Sequence, residues 1–154
     1  MADSYGASVV IERPIEDVFA FLADGENDPK FSARIIEIHK TTDGPPGVGT
    51  VYESKVNDGG FKSDRKFEIT DFEQPSKIRW AERSKNMVTV PAGGYDLEPA
   101  DGGTKLSFFN EFEGHGFGKL LKGFALRQAR KQADDFANSI KKAVEAESGV
   151  QPNG

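Results

Sequence analysis

A chain of 154 residues suits one domain with one sizeable core, and 25 acidic against 20 basic residues leave it at −5. With no cysteine there is no disulfide, thiolate nucleophile or thiolate metal site. With no clustered basic surface beyond helical stretches such as KGFALRQARK, nucleic acid is disfavoured as a partner.

SYGASVVIE sets Val9 and Ile11 on one side of a period-two pattern and Val10 on the other, which predicts a strand. In IERPIEDVFAFLAD (Ile11–Asp24), Pro14 suits a first helical turn through its fixed φ and missing N–H. Glu16 and Asp17 suit that turn by charge, and Val18, Phe19, Phe21 and Leu22 make one apolar stripe. In DGENDPKFSA, Asp24 or Asn27 is placed to cap a second short helical turn containing Pro29. ARIIEIHKTT is a strand with Ile36 and Ile38 on one face and Ile35 on the other, and TDGPPGVG is a turn.

TVYESKVN alternates, with Tyr52, Ser54 and Val56 sharing a face, and Asp58–Gly60 signals a hairpin. FKSDRKFEITDFE is a long strand with Arg65, Phe67 and Ile69 together. After the turn QPSK, KIRWAERS groups Ile78, Trp80 and Glu82, and SKN turns again. MVTVPAGGYDLEP is a strand interrupted at PAGG, where a bulge is expected. ADGG turns the chain into TKLSFFNEFE, which groups Leu106, Phe108, Asn110 and Phe112. From about Gly116 to Glu147 there is no proline, and Phe117, Leu121, Phe124, Ala125, Gln128, Gln132, Phe136, Ile140 and Val144 read as the broad inner stripe of one long helix. Residues 148–154 read as a flexible tail after a single domain at 1–147.

No apolar run reaches the ~20 residues a spanning helix needs. MADSYGAS lacks the basic-then-apolar order of a secretory signal. The expectation is a cytoplasmic protein without stable membrane insertion, monomeric or homodimeric.

One strand, two short helices, six hairpin-linked strands and a long final helix make an α+β pattern: a seven-stranded antiparallel sheet with the last helix across it. This order resembles the SRPBCC/START-like helix-grip superfamily, which includes START domains, the birch-pollen-allergen (Bet v 1-like) fold and the polyketide cyclase/dehydrase family. VVIERPIEDVFAFLAD, GVGTVYESKV, FEITDFEQPSKIRW and GGYDLEPADGGTKLSF resemble, in the same order, segments of its cyclase-like bacterial members, from about Tyr5 to Glu147. The resemblance implies a curved sheet gripping the helix, with the first half of that helix lying across a cavity.

By alternation, Tyr52, Val56, Phe67, Ile69, Ile78, Trp80, Tyr95, Leu97, Leu106, Phe108 and Phe112 point toward the helix, with Ser54, Ser63, Arg65, Glu82 and Asn110 interleaved. Apolar walls with a few fixed polar groups are what a small-molecule pocket requires. Arg65 and Glu82 have two readings: strand-end residues that reach solvent, or a buried pair at a pocket mouth that orients a polar ligand group. Phe117, Leu120, Leu121 and Phe124 are either ordinary core or the gate of the pocket, and Gln128 and Gln132 suggest a wet interior. The expected ligand-binding set is Tyr52, Ser54, Arg65, Phe67, Trp80, Glu82, Tyr95, Phe108, Asn110, Phe117, Leu121, Phe124 and Gln128.

His39 is expected on the solvent side and His115 in an exposed loop. No metal-ligand spacing, nucleophile motif or phosphate-binding loop is present, so no metal or cofactor is expected. The leading expectation is binding of a small hydrophobic or amphipathic molecule: a lipid, polyketide or isoprenoid. A polyketide cyclase/aromatase-type enzyme and a protein-interaction module are the alternatives, and no catalytic residue is assigned.

Overall fold

The structure, a computed structural model, describes residues 3–149. β1 (Asp3–Ile11) leads through Pro14 into α1 (Ile15–Ala23), and a 3₁₀ helix (Gly25–Lys30) follows. Then come β2 (Ile35–Lys40), β3 (Val51–Asp58), β4 (Phe61–Glu73), β5 (Lys77–Glu82), β6 (Val88–Thr89), β7 (Gly93–Ala100), β8 (Gly103–Gly114) and α2 (Gly118–Gly149). Pro14 is the N-cap of α1, with Glu16 and Asp17 in the first turn and Val18, Phe19, Phe21 and Leu22 buried. The Asp24 carboxylate accepts the Glu26 N–H at 3.0 Å and so caps the 3₁₀ helix.

The strands form one curved antiparallel sheet in the order β1-β8-β7-β5-β4-β3-β2. The Asp58–Gly60 hairpin forms as expected, with Gly59 and Gly60 at φ of 61° and 101°, where a side chain would be strained. The interruption expected at PAGG is larger than a bulge. Val88 and Thr89 pair with Gly114 and Glu113, the chain steps across Pro91, which has no N–H to give, and β7 begins at Gly93 opposite Asn110. One expected strand is therefore two, which makes eight strands among the described residues.

Two bulges correct the expected alternation. In β4, Ile69 faces Trp80 but Asp71 faces Arg79, so one extra residue turns Phe72 inward, 5.1 Å from the Phe19 ring. In β2, Ile35 faces Val56 and Glu37 faces Lys55, which leaves Ile36 51% exposed and puts Ile35 and Ile38 on the inner side.

α2 starts two residues later than expected and runs on through Ser148 and Gly149. The rest of the expected tail, 150–154, lies outside the described residues. Its buried stripe is Leu126, Ala133, Ala137, Ile140 and Val144. The stripe read from the sequence is corrected here. It climbs by four-residue steps, each overshooting a 3.6-residue turn by ~40°, so from Phe124 to Val144 it winds about half way round the helix. Phe117, Leu120, Leu121 and Phe124 consequently lie opposite the buried stripe, at 80, 78, 46 and 61% exposure, and Gln128 and Gln132 are exposed too. α2 is seated on β1 and β8. Lys122 pairs with Asp3 at 2.8 Å, Arg130 donates to the Ser4 carbonyl at 3.0 Å, and Arg13 donates to the Glu145 carbonyl at 2.7 Å. Among the described residues no helix is long and apolar enough to cross a membrane.

Candidate functional site

The inner face of the sheet carries a row of side chains that crosses four strands: Trp80 on β5, Gly93 on β7, Asn110 on β8 and Tyr5 on β1. Trp80 Nε1 donates to Asn110 Oδ1 at 3.0 Å, and Asn110 Nδ2 donates to the Tyr5 hydroxyl at 3.2 Å. The first bond passes over Gly93. A Cβ there would lie 2.1 Å from Asn110 Oδ1 and 2.4 Å from Trp80 Nε1, so only glycine leaves room for it. Tyr5 is a site residue the sequence reading did not single out, although it shares the parity of Val9 and Ile11. Burial is the main cause holding its hydroxyl above the usual tyrosine range.

The neighbouring row brings Tyr95 beside Phe108, with the Tyr95 ring 4.9 Å from Trp80 in an edge-to-face contact. Tyr95 is buried, and burial pushes its hydroxyl well above the ordinary value. That hydroxyl makes no hydrogen bond among the described residues, and no fully enclosed polar side-chain atom among them lacks a partner, so the Tyr95 oxygen is not fully enclosed. Ser54 and Phe67 are half-buried on the same face. Phe108 is core, packed 5.1 Å from Phe136, which itself lies 5.8 Å from Phe31.

Asp28, on the 3₁₀ helix, is a second residue missed. Its carboxyl has no hydrogen-bond partner among the described residues, and burial first, then the nearby Asp24 charge, pushes it up to about 8. Its charge acts on Tyr52 and Tyr95, raising both hydroxyls. In DGENDPK it reads as one more polar residue of a turn; only tertiary packing raises its carboxyl. Below its ordinary value of 3.8 the group is protonated in both the folded and the unfolded chain. Between there and about 8 only the folded chain keeps the proton, so rising pH costs stability across that window. Asp28→Asn should flatten the fall. Even one pKa unit is worth ~1.4 kcal/mol, or about 3–6 °C in Tm for a chain of this size, so the variant should melt higher than the parent at pH 8 and match it at pH 4. Thermal melts across pH 4–9 measure this, and parallel curves would refute the burial of Asp28.

Arg65 and Glu82 form the buried pair, their side chains 17% and 0% exposed at 3.1 Å, so the solvent-exposed strand-end reading falls. Glu82 is nonetheless saturated. It accepts from Arg65 Nη1, from Ser84 Oγ at 2.6 Å, from Asn86 Nδ2 at 2.9 Å and from the Val90 N–H at 2.9 Å. It fastens the loop from Arg83 to β6, and Arg65 assists by donating to the Val88 carbonyl at 2.8 Å. Arg65 Nη2 has no hydrogen-bond partner among the described residues. Tyr52, expected in the lining, is structural at its tip: its hydroxyl accepts the Gly25 N–H at 3.1 Å and donates to the Ala23 carbonyl at 3.4 Å. At the rim, Arg34 makes a two-pronged ion pair with Asp58, which holds that carboxyl below its usual value although burial alone would raise it. The expected gate residues Phe117, Leu121, Phe124 and Gln128 face outward instead.

His39 is exposed beside Glu37. His115 is half-exposed, with Nε2 2.8 Å from Thr89 Oγ1 and its N–H on the Met87 carbonyl, clipping β6 to the turn before α2. On the opposite, convex face a shallow groove of about 360 Å³ runs over Glu73, Lys77, Asp96, Glu98 and Lys105. Its lysines are already paired, Lys77 with Asp71 and Glu73 and Lys105 with Glu98, so it offers no free charge to a ligand.

A curved antiparallel sheet, two short helices after its first strand, and a long last helix on its concave side define a helix-grip protein. The sequence matches the profile of the polyketide cyclase / dehydrase and lipid transport family over residues 4–145, and the chain belongs to that family. Among solved structures it is similar to TTHA0849 from Thermus thermophilus (TM-score 0.78, 17% identity, 94% of this chain and 99% of the other). It is also similar to the Zhui aromatase/cyclase from Streptomyces sp. R1128 (0.76, 15%, 96% and 96%) and to Ara h 8.0201 (0.69, 19%, 95% and 99%). At these identities the likeness is one of fold. No curated protein matches the sequence.

Proposed function

We propose that the protein binds a small hydrophobic or amphipathic molecule, of the lipid, polyketide or isoprenoid kind, in the concavity between the sheet and α2. The observation that supports this is three polar groups, the Tyr95 hydroxyl, the Asp28 carboxyl and Arg65 Nη2, that have no hydrogen-bond partner among the described residues and are not fully enclosed, with Phe67, Trp80 and Phe108 beside Arg65 and Tyr95 on the inner face of the sheet. A solid core does not tolerate such groups, since each one left unpaired costs ~1–3 kcal/mol. An apolar ligand body would gain roughly 25 cal/mol per Å² buried, and the three polar atoms would orient an oxygen-bearing end. Trp80 is the only tryptophan. A long-chain fatty acid or a flavonoid should change its fluorescence saturably at micromolar concentration, about −8 kcal/mol. Ser54→Phe or Asn110→Phe should abolish the response with the fold intact; loss of fold in both would mean that the interior was already full.

Asp28 supports a second reading, in which the bound molecule is also converted. A carboxyl that holds its proton near neutrality is suited to give and take it at a carbonyl or enol oxygen. Turnover of a retained poly-carbonyl compound that disappears in Asp28→Asn, with binding kept, would establish it.

A further inference from the structure

Three segments meet at the end of the molecule where the Arg65–Glu82 pair lies. The loop after β5 touches β4 through Asn86, whose Nδ2 donates to the Asp64 carbonyl at 3.3 Å. The same loop touches the start of α2, where the Met87 carbonyl accepts the His115 N–H at 2.8 Å and would lie 1.7 Å from a Cβ at Gly118. Each segment exposes large apolar side chains: Phe61 at 83% on the hairpin, Met87 at 50% on the loop, Phe117 at 80% in the turn before α2, and Leu120 and Phe124 on the helix at 78 and 61%.

Charge says what suits this surface. Between Gly118 and Ala133, α2 carries five basic residues and no acidic one, in a chain of net charge −5, and the exposed acids Asp134 and Asp135 end this stretch. Lys122 and Arg130 are engaged on β1, but Lys119, Arg127 and Lys131 are exposed with no carboxylate partner among the described residues. Lys62 and Lys85 stand exposed on the other two segments, with Asp64 exposed on β4 and Glu113 exposed at the end of β8. On the helix surface Arg127 lies two turns after Leu120 and Lys131 two turns after Phe124, so an apolar band is succeeded by a cationic one. A second copy of the chain would set these cations against each other. A bilayer with anionic headgroups takes both bands, the aromatic rings at the acyl boundary and the cations among the headgroups. We propose that this end of the protein docks reversibly on anionic membrane surfaces, with the mouth of the concavity turned toward the bilayer; the proposal does not depend on what the concavity holds.

The test is co-sedimentation of the full chain with phosphatidylcholine vesicles, with and without phosphatidylglycerol, at low and high salt. Binding is expected only with the anionic vesicles and should fall with salt. The triple variant F117S/L120S/F124S and, separately, R127E/K131E should each weaken it at least about tenfold while keeping the parent's Tm, and K105E on the convex face should leave it unchanged. Failure of the parent to bind anionic vesicles, or undiminished binding by the triple variant, overturns the proposal. So does a parent dimer in light scattering that the triple variant converts to monomer, because a second copy would then cover the face.

Discussion

Ile140→Asp is expected to abolish cooperative folding. Ile140 is 0% exposed in the middle of the stripe that seats α2 on β1 and β8. Truncating such a residue already costs ~2–5 kcal/mol, and an unpaired charge at the site adds a desolvation penalty of several more. The sum reaches the whole stability of an ordinary domain, ~5–15 kcal/mol. Phe136→Asp, at a half-buried ring between Phe31 and Phe108, should cost somewhat less, ~3–5 kcal/mol. Phe124→Asp is the instructive contrast. The same apolar pattern contains both residues, yet Phe124 is 61% exposed, and its substitution should stay within ~0.5 kcal/mol. Urea denaturation followed by circular dichroism separates the three. Equal losses at Phe124 and Ile140 would mean that α2 is rotated from the position described.

Glu82→Ala should be the most damaging substitution outside the apolar core. It strips the acceptor from Arg65, Ser84, Asn86 and the Val90 N–H at once and leaves the Arg65 guanidinium, 17% exposed, with only the neutral Val88 carbonyl and Ser63 hydroxyl. Breaking a buried pair from one side costs ~3–5 kcal/mol, or roughly 6–20 °C in Tm. The double variant Glu82→Ala/Arg65→Met should recover part of that loss, since the stranded charge is then gone. A Glu82→Ala protein within ~1 kcal/mol of the parent would show that the loop is not held by this carboxylate.

The fold was legible because its signals are local: Pro14 before an apolar helix, glycines at the hairpin turns, and two-residue alternation in β3, β5 and β8. Legibility failed where one residue changed the phase. Thr70 and Ile36 each add a bulge and turn Phe72 and Ile35 inward. The four-residue steps of α2 joined an exposed face to a buried one. At the site, Trp80 and Asn110 were legible by parity, and so was Tyr5 had β1 been followed to its start. Asp28 was not, because nothing in DGENDPK distinguishes a carboxylate facing water from one turned toward Tyr52 and Tyr95. The Glu82 network was half legible: the pairing with Arg65 follows from alternation, the capture of a distant loop does not.

The pairing of β1 with β8 also has a consequence for synthesis. Asp3–Ile11 finds its hydrogen-bonding partners at Thr104–Phe112, and the helix that covers both comes later still. At ~5–20 residues per second, the nascent chain carries Val9 and Ile11 unpaired for roughly 5–20 s before β8 exists. The β2–β5 meander is complete long before that, but it has only part of its apolar face covered. Closure therefore waits for β8 and α2, and the alternating charges of the early strands, Glu53, Lys55, Asp64 and Lys66, oppose edge-to-edge pairing of the waiting sheet.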